Sequence, residues 1–221
     1  MNIAENILKH NLKNVYFLTG TPYGGKTTIS KELSKKYGFI HFNDNWHEEP
    51  FKIYREICEE KYQKHSTKKK YTTDWETYFS RSVDEFLADN GDYGEFDEYL
   101  EFVIIELIKI SQNQKIIADV GFPIKTLTEI SEYNRIACLL APPELVTCAN
   151  YGQREDHREF LECIMALKEP DKKIKTQNEL FKINVEKVFA DVKKYNLFGI
   201  VRNEENTIEK TLSMLEKHFN L

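Results

Sequence analysis

Eight residues near the start of the chain, Gly20-Thr21-Pro22-Tyr23-Gly24-Gly25-Lys26-Thr27, constrain its fold more than any other stretch. They fit the phosphate-binding pattern G-x-x-x-x-G-K-[ST], which works only between a strand and a helix. Both neighbours are of the right kind. Val15-Tyr16-Phe17-Leu18 is an apolar, β-rich run that predicts a buried strand. Thr27 to Tyr37 predicts a helix, with Ile29 and Leu33 on one face, Lys31, Lys35 and Lys36 elsewhere, and Gly38 placed to stop it.

The spacing follows from chemistry. Glycines allow the backbone to curl until successive N–H groups point at one polyphosphate, and the next helix adds the positive end of its dipole. The expected cofactor-holding set is Gly20, Pro22, Tyr23, Gly24, Gly25, Lys26, Thr27 and Thr28. Lys26 would reach the β- and γ-phosphates, and the Thr27 hydroxyl would ligate Mg²⁺. The pattern turns up by chance in on the order of one chain in a hundred of this size. Its strand–loop–helix context makes a simple Gly-rich turn a poor alternative. A nucleoside triphosphate is the expected ligand.

Composition sets the bounds. A chain of 221 residues suits one α/β domain with a large insertion, and 41% hydrophobic residues can fill a core. A net charge of −5 spread without a basic face leaves no nucleic-acid partner expected. Cys58, Cys138, Cys148 and Cys163 form no CxxC pair and no metal-ligand spacing, so reduced thiols are expected. No charged-then-apolar leader opens the sequence, and no apolar run is long enough to span a bilayer. The expected setting is soluble and cytoplasmic, without a membrane partner.

Further strands are predicted at Phe39–Phe42, Lys115–Asp119, Arg135–Leu140 and Leu197–Val201. Between the second and third lies a mainly helical, polar stretch of about 70 residues. Helices are expected there over Phe51–Tyr62, Trp75–Leu87 and Phe96–Ile110, the last apolar enough to pack on the sheet. Lys64–Lys70 reads as a solvated loop. A short helix after Pro123, polar helical segments over Thr147–Lys168 and Thr176–Tyr195, and an amphipathic helix over Thr207–Phe219 complete the pattern. Strands alternating with helices predict a parallel sheet of about five strands with helices on both faces, and ligands bound past the carboxyl ends of the strands. Asp44, Asp119 and the glycine-rich loop all fall at such ends.

The order of these features resembles the P-loop small-molecule kinases, the nucleoside monophosphate kinase and shikimate kinase superfamily. The resemblance implies a P-loop NTPase three-layer sandwich over residues 1–221, with an acceptor-binding helical insertion at 45–114 and a lid at about 145–170. It implies ATP and Mg²⁺ as cofactors and a small-molecule acceptor. Asp119-Val120-Gly121-Phe122-Pro123 is similar to the Asp-Gly-Phe-Pro-Arg stretch of adenylate kinase-type enzymes, with Val120 interposed and Ile124 where the arginine falls. Asp119 would then hold Mg²⁺ through water, although an Asp capping the following turn would look the same. Asp44 matches the acids that orient and deprotonate an acceptor hydroxyl, although Asn43-Asp44-Asn45 is also an ordinary turn triplet. Trp46 and His47 lie beside it.

Arg154 and Arg158 are four apart in the lid region, which on a helix would place both on one face. They match arginines that close over the transferring phosphate, and the competing reading is local pairing with Glu155, Asp156 or Glu159. Arg55 would meet an anionic acceptor group or else be a surface arginine, and Arg202-Asn203 would border the adenine. The resulting expectation is γ-phosphate transfer from ATP to a small acceptor, with Lys26, Asp44, Arg154 and Arg158 catalytic and Thr27 and Asp119 on the metal. The main rival is an ATP-binding protein without transfer activity. A GTPase switch lacks its N-K-x-D guanine motif anywhere in the chain.

Overall fold

The computed structural model describes residues 5–43, 74–89, 94–154 and 158–221. The elements run in this order: α1 (Glu5–Asn11), β1 (Val15–Gly20), α2 (Lys26–Tyr37), β2 (Ile40–Asn43), α3 (Trp75–Phe79), α4 (Val83–Asp89), α5 (Gly94–Ser111) and β3 (Ile116–Asp119). There follow α6 (Ile124–Ile130), β4 (Ile136–Leu140), α7 (Cys148–Gly152), α8 (Arg158–Met165), α9 (Pro170–Lys194), β5 (Phe198–Val201) and α10 (Ile208–Phe219). All five predicted strands form, and they join in one parallel sheet ordered β2-β3-β1-β4-β5.

The central strands are apolar throughout because both of their faces are covered. Val15–Leu18, Ile116–Ala118 and Ile136–Leu140 are all buried, whereas edge strands β2 and β5 are partly exposed. Alternation along β1 separates two cores. Val15 and Phe17 pack with Leu12 after α1, with Tyr99, Val103 and Leu107 of α5, and with Leu127 of α6. Tyr16 and Leu18 pack on the other side with Ile29 and Leu33 of α2 and Leu215 and Phe219 of α10. Helix α9 joins the first side, where Val192 meets Ile124, Cys138 and Leu140. This is the expected P-loop NTPase layering, helix–sheet–helix.

Several boundaries differ from expectation for local reasons. The segment 75–87 is two helices. Ser80 turns its hydroxyl back to the Glu76 carbonyl at 2.6 Å. Ser82 and Glu85 then form a capping box, Ser82 N–H donating to the Glu85 carboxylate at 2.7 Å and Glu85 N–H to the Ser82 hydroxyl at 3.3 Å. Helix α9 begins six residues before the expected start, because Pro170 suits a first helical position. The segment 147–168 is also split, with α7 started by Thr147, whose hydroxyl accepts the Asn150 N–H at 3.2 Å. Gly152 permits the turn's tight packing: a Cβ there would lie 2.3 Å from Leu161 Cδ2 of α8. Helix Phe51–Tyr62, loop Lys64–Lys70 and Cys58 lie outside the described residues. Burial pushes the Cys138 thiol up to about 12 and that of Cys148 to about 11, which keeps both inert. No described helix is long and apolar enough to cross a membrane.

Candidate active site

The glycine-rich loop is moored to the end of β4. Thr21 N–H donates to the Leu139 carbonyl at 3.1 Å, and the Thr21 hydroxyl accepts from Ala141 N–H at 2.6 Å. This mooring explains Gly24, whose hypothetical Cβ would sit 2.1 Å from the Leu139 oxygen. Gly25 is required for a different reason: its φ is +90°, with open space where a side chain would go. As the N-cap of α2, Gly25 supplies no capping oxygen, and the first turn holds no acidic side chain. The first N–H groups of α2 are therefore left to an anion. Lys26 arches back over this concavity and donates from Nζ to the Thr21 carbonyl at 2.8 Å.

The second converging element is β3. Its register puts Asp119 level with Leu18 and Asn43, at the carboxyl end of the sheet. There the Thr27 hydroxyl donates to Asp119 Oδ2 at 2.6 Å. The two residues expected on the metal, 92 positions apart, thus meet beside the loop. A hydroxyl and a carboxylate in contact are hard oxygen donors and fit Mg²⁺, which takes one or two protein ligands and fills its octahedron with water and phosphate. Among the described residues no group of three His, Cys, Asp or Glu forms a fuller metal cage.

Arg154 and Arg158 do not share one helix as their spacing suggested. Helix α7 ends at Gly152, Arg154 lies in the bend beyond it, and Arg158 is the exposed first residue of α8. Arg154 nevertheless reaches the loop, its guanidinium 5.7 Å from the centre of the Tyr23 ring and 6.0 Å from that of Tyr151. Asp44, Trp46, His47, Arg55 and His157 lie outside the described residues.

Among the described residues, clefts border the loop on each face of the sheet. The smaller, about 340 Å³, runs over Gly24, Gly25 and Thr28 toward Arg202, Asn206 and Thr211, on the α2–α10 side. Asn203, which the sequence placed here, spends its side-chain oxygen on the turn, accepting from Glu205 and Asn206 N–H at 3.0 and 2.9 Å. The larger cleft, about 730 Å³, opens between α6 and α9 from Thr19, Gly20 and Gly121 to Lys125, Lys187 and Asp191. Sequence reasoning missed Lys187 and Asp191, since only their spacing on α9 marks them and any exposed helix face looks alike. The Arg202 guanidinium, assigned only to the adenine, also donates from Nη1 to the Tyr23 carbonyl at 3.0 Å.

No protein-family model matches the chain. No curated protein matches it either. Among solved structures it is similar to shikimate kinase from Acinetobacter baumannii in complex with shikimate, at 14% identity and a TM-score of 0.43, covering 93% of each chain. It is similar to shikimate kinase from Bacteroides thetaiotaomicron at 15% identity and a TM-score of 0.41, covering 94% of this chain and 98% of that one. For deoxyadenosine kinase from M. mycoides with bound dATP the figures are 16%, 0.43, 94% and 99%. What the site can do is decided by its own geometry.

Proposed function

We propose that this protein is a phosphotransferase that moves the γ-phosphate of Mg-ATP onto a small-molecule acceptor. The observation that carries the reading is the meeting of Thr27 and Asp119 at 2.6 Å beside an open ring of loop amides and Lys26. A loop hydroxyl beside a carboxylate from a second strand end is the metal-holding pair that phosphoryl transfer uses.

In this reading the loop amides and the start of α2 hold the polyphosphate, and Lys26 leaves the Thr21 carbonyl to bridge the β- and γ-phosphates. Thr27 and, through water, Asp119 would hold Mg²⁺, which would supply charge neutralisation at the polyphosphate. The base lies in the smaller cleft over Gly24 and Thr28, beside Arg202. The acceptor approaches through the larger cleft at Gly20 and Gly121 and attacks the γ-phosphorus opposite the bridging oxygen, in line with the leaving ADP. Its hydroxyl oxygen forms a bond to the γ-phosphorus as the bond to the bridging oxygen breaks and ADP leaves. Asp44, next after the strand-end residue Asn43, takes the hydroxyl proton. Residues 145–170 act as a lid, bringing Arg154 and Arg158 to the transferring oxygens and excluding water, and residues 45–114 complete the acceptor side.

The test is ADP production from Mg-ATP with and without a pooled extract of small metabolites, with Lys26→Ala alongside. Acceleration by the extract in the wild type alone supports the transferase. ATP binding with no consumption in any fraction refutes it and leaves the rival, a nucleotide-gated binding protein.

A further inference from the structure

Tyr23 sits inside the phosphate loop with a φ of +62°. The left-handed region is unfavourable for a bulky side chain, so the surroundings must enforce it. Among the described residues, two of the three other non-glycine residues with positive φ are asparagines, which tolerate it. A tyrosine does not.

Contacts to both its backbone and its ring help hold it. Arg202 donates to its carbonyl at 3.0 Å, fixing the backbone. Its ring meets the Tyr151 ring of α7 edge-on, centroids 5.6 Å apart at 71°. Tyr151 is itself braced, stacked on Phe181 of α9 at 4.9 Å and 16°, and 6.2 Å from Phe160 of α8. Phe160 in turn meets Phe79 of α3 at 5.9 Å. One chain of rings therefore runs from the phosphate loop through the segment after β4 into the insertion. Arg154 lies against both of its first two rings.

We infer that Tyr151 is a positioning residue for the nucleotide. It keeps Tyr23 left-handed, and that conformation sets the direction of the loop N–H groups on either side of it. Tyr151 also shares Arg154 with Tyr23, so the arginine nearest the loop moves with the same ring pair. The phosphate loop's shape is thereby coupled to a residue outside its motif. This inference rests on the ATP-binding half of the proposed function.

The test is Mg-ATP affinity by calorimetry without any acceptor, together with amide hydrogen exchange at Gly24 and Gly25 in the nucleotide-free protein. Tyr151→Leu is expected to raise the dissociation constant about fivefold, the weight of one aromatic edge contact, and to speed exchange at both glycines. Tyr151→Phe, which keeps the ring, restores both. Tyr23→Gly takes the left-handed conformation unaided, so adding Tyr151→Leu to it brings no further loss, where a merely structural role would multiply the two effects. Should Tyr151→Leu melt too early to be read, Tyr23→Leu removes the same contact from the loop side. Wild-type affinity and exchange in Tyr151→Leu, or multiplied penalties in the double variant, overturn the inference. A wild type that binds no Mg-ATP instead overturns the reading beneath it, and unchanged glycine exchange in Tyr151→Leu would then sink the positioning role separately.

Discussion

Replacing Gly24 and Gly25 one at a time by alanine separates two kinds of cost that a glycine-rich loop usually confounds. At Gly24 the new Cβ would lie 2.1 Å from the Leu139 oxygen and 2.6 Å from its carbon. Leu139 cannot yield, because β4 is paired with β1 on one side and β5 on the other. The loop must lift by about 1 Å to reach ordinary contact, which breaks the 3.1 Å bond from Thr21 N–H to the same oxygen. Overpacking at about 1–3 kcal/mol and the lost hydrogen bond at about 1 kcal/mol sum to roughly 2–4 kcal/mol. At about 2–4 °C per kcal/mol for a chain of this size, the melting temperature falls by roughly 4–16 °C. Gly25→Ala meets nothing within 4 Å and bears only the cost of its φ of +90°, about 1–2 kcal/mol. Scanning calorimetry on the three proteins gives the ranking, and hydrogen exchange at Thr21 reports the broken bond. Gly24→Ala melting within 1–2 °C of wild type, or above Gly25→Ala, would refute the mooring of the loop on β4.

Three further outcomes are expected. Asp119→Asn should remove most of the Mg²⁺ stimulation of ATP binding, about tenfold or more, while leaving metal-free binding nearly intact, as titrations with and without EDTA would reveal. His218 stacks on Phe198 at 4.2 Å with a ring nitrogen 2.9 Å from the Ile136 carbonyl, and burial holds its pKa below the ordinary 6.5. The unfolded chain therefore takes up this proton first, so stability is fully present above pH 6.5 and declines below it. Melting curves from pH 8 to pH 5 should show that decline, reduced in His218→Gln. Lys173 is buried and donates to the Glu76 carboxylate at 2.7 Å and the Lys168 carbonyl at 2.6 Å, tying α3 to the start of α9. Glu76→Gln strands this ammonium without its counter-charge, whereas in Lys173→Met the half-exposed carboxylate rehydrates, so thermal melts should rank Glu76→Gln as the less stable.

The phosphate loop was legible because its chemistry is local. Gly25 is needed for its own φ, and Lys26 and Thr27 follow within the same turn, so residue type and spacing carry the whole message. The five strands were equally legible, since a continuous apolar run such as Ile116–Ala118 or Ile136–Leu140 has nowhere to go but the middle of a covered sheet. Asp119 was found as a candidate because it ends such a run, yet the same letter describes a turn cap. Only the parallel register of β1 and β3 brought its carboxylate to Thr27. The segment 147–168 was misread as one helical stretch because helix periodicity is insensitive to a break of a few residues. Gly152 lets α7 pack closely against Leu161 of α8, a contact that periodicity does not reveal.

Sequence alone thus determined the strands of the sheet, the strand-end position of the candidate site and the glycine-rich loop at its centre, because each depends on neighbours in the chain or on a burial period of two or of 3.6 residues. Tertiary structure decided why Gly24 must be glycine, how Tyr23 is held, where Arg154 lies, and which face of α9 lines a cleft. Those properties arise from Leu139, Tyr151 and Lys187, residues more than 100 positions away from the loop. Distance along the chain carries no trace of such contacts, and only the fold brings the partners within reach.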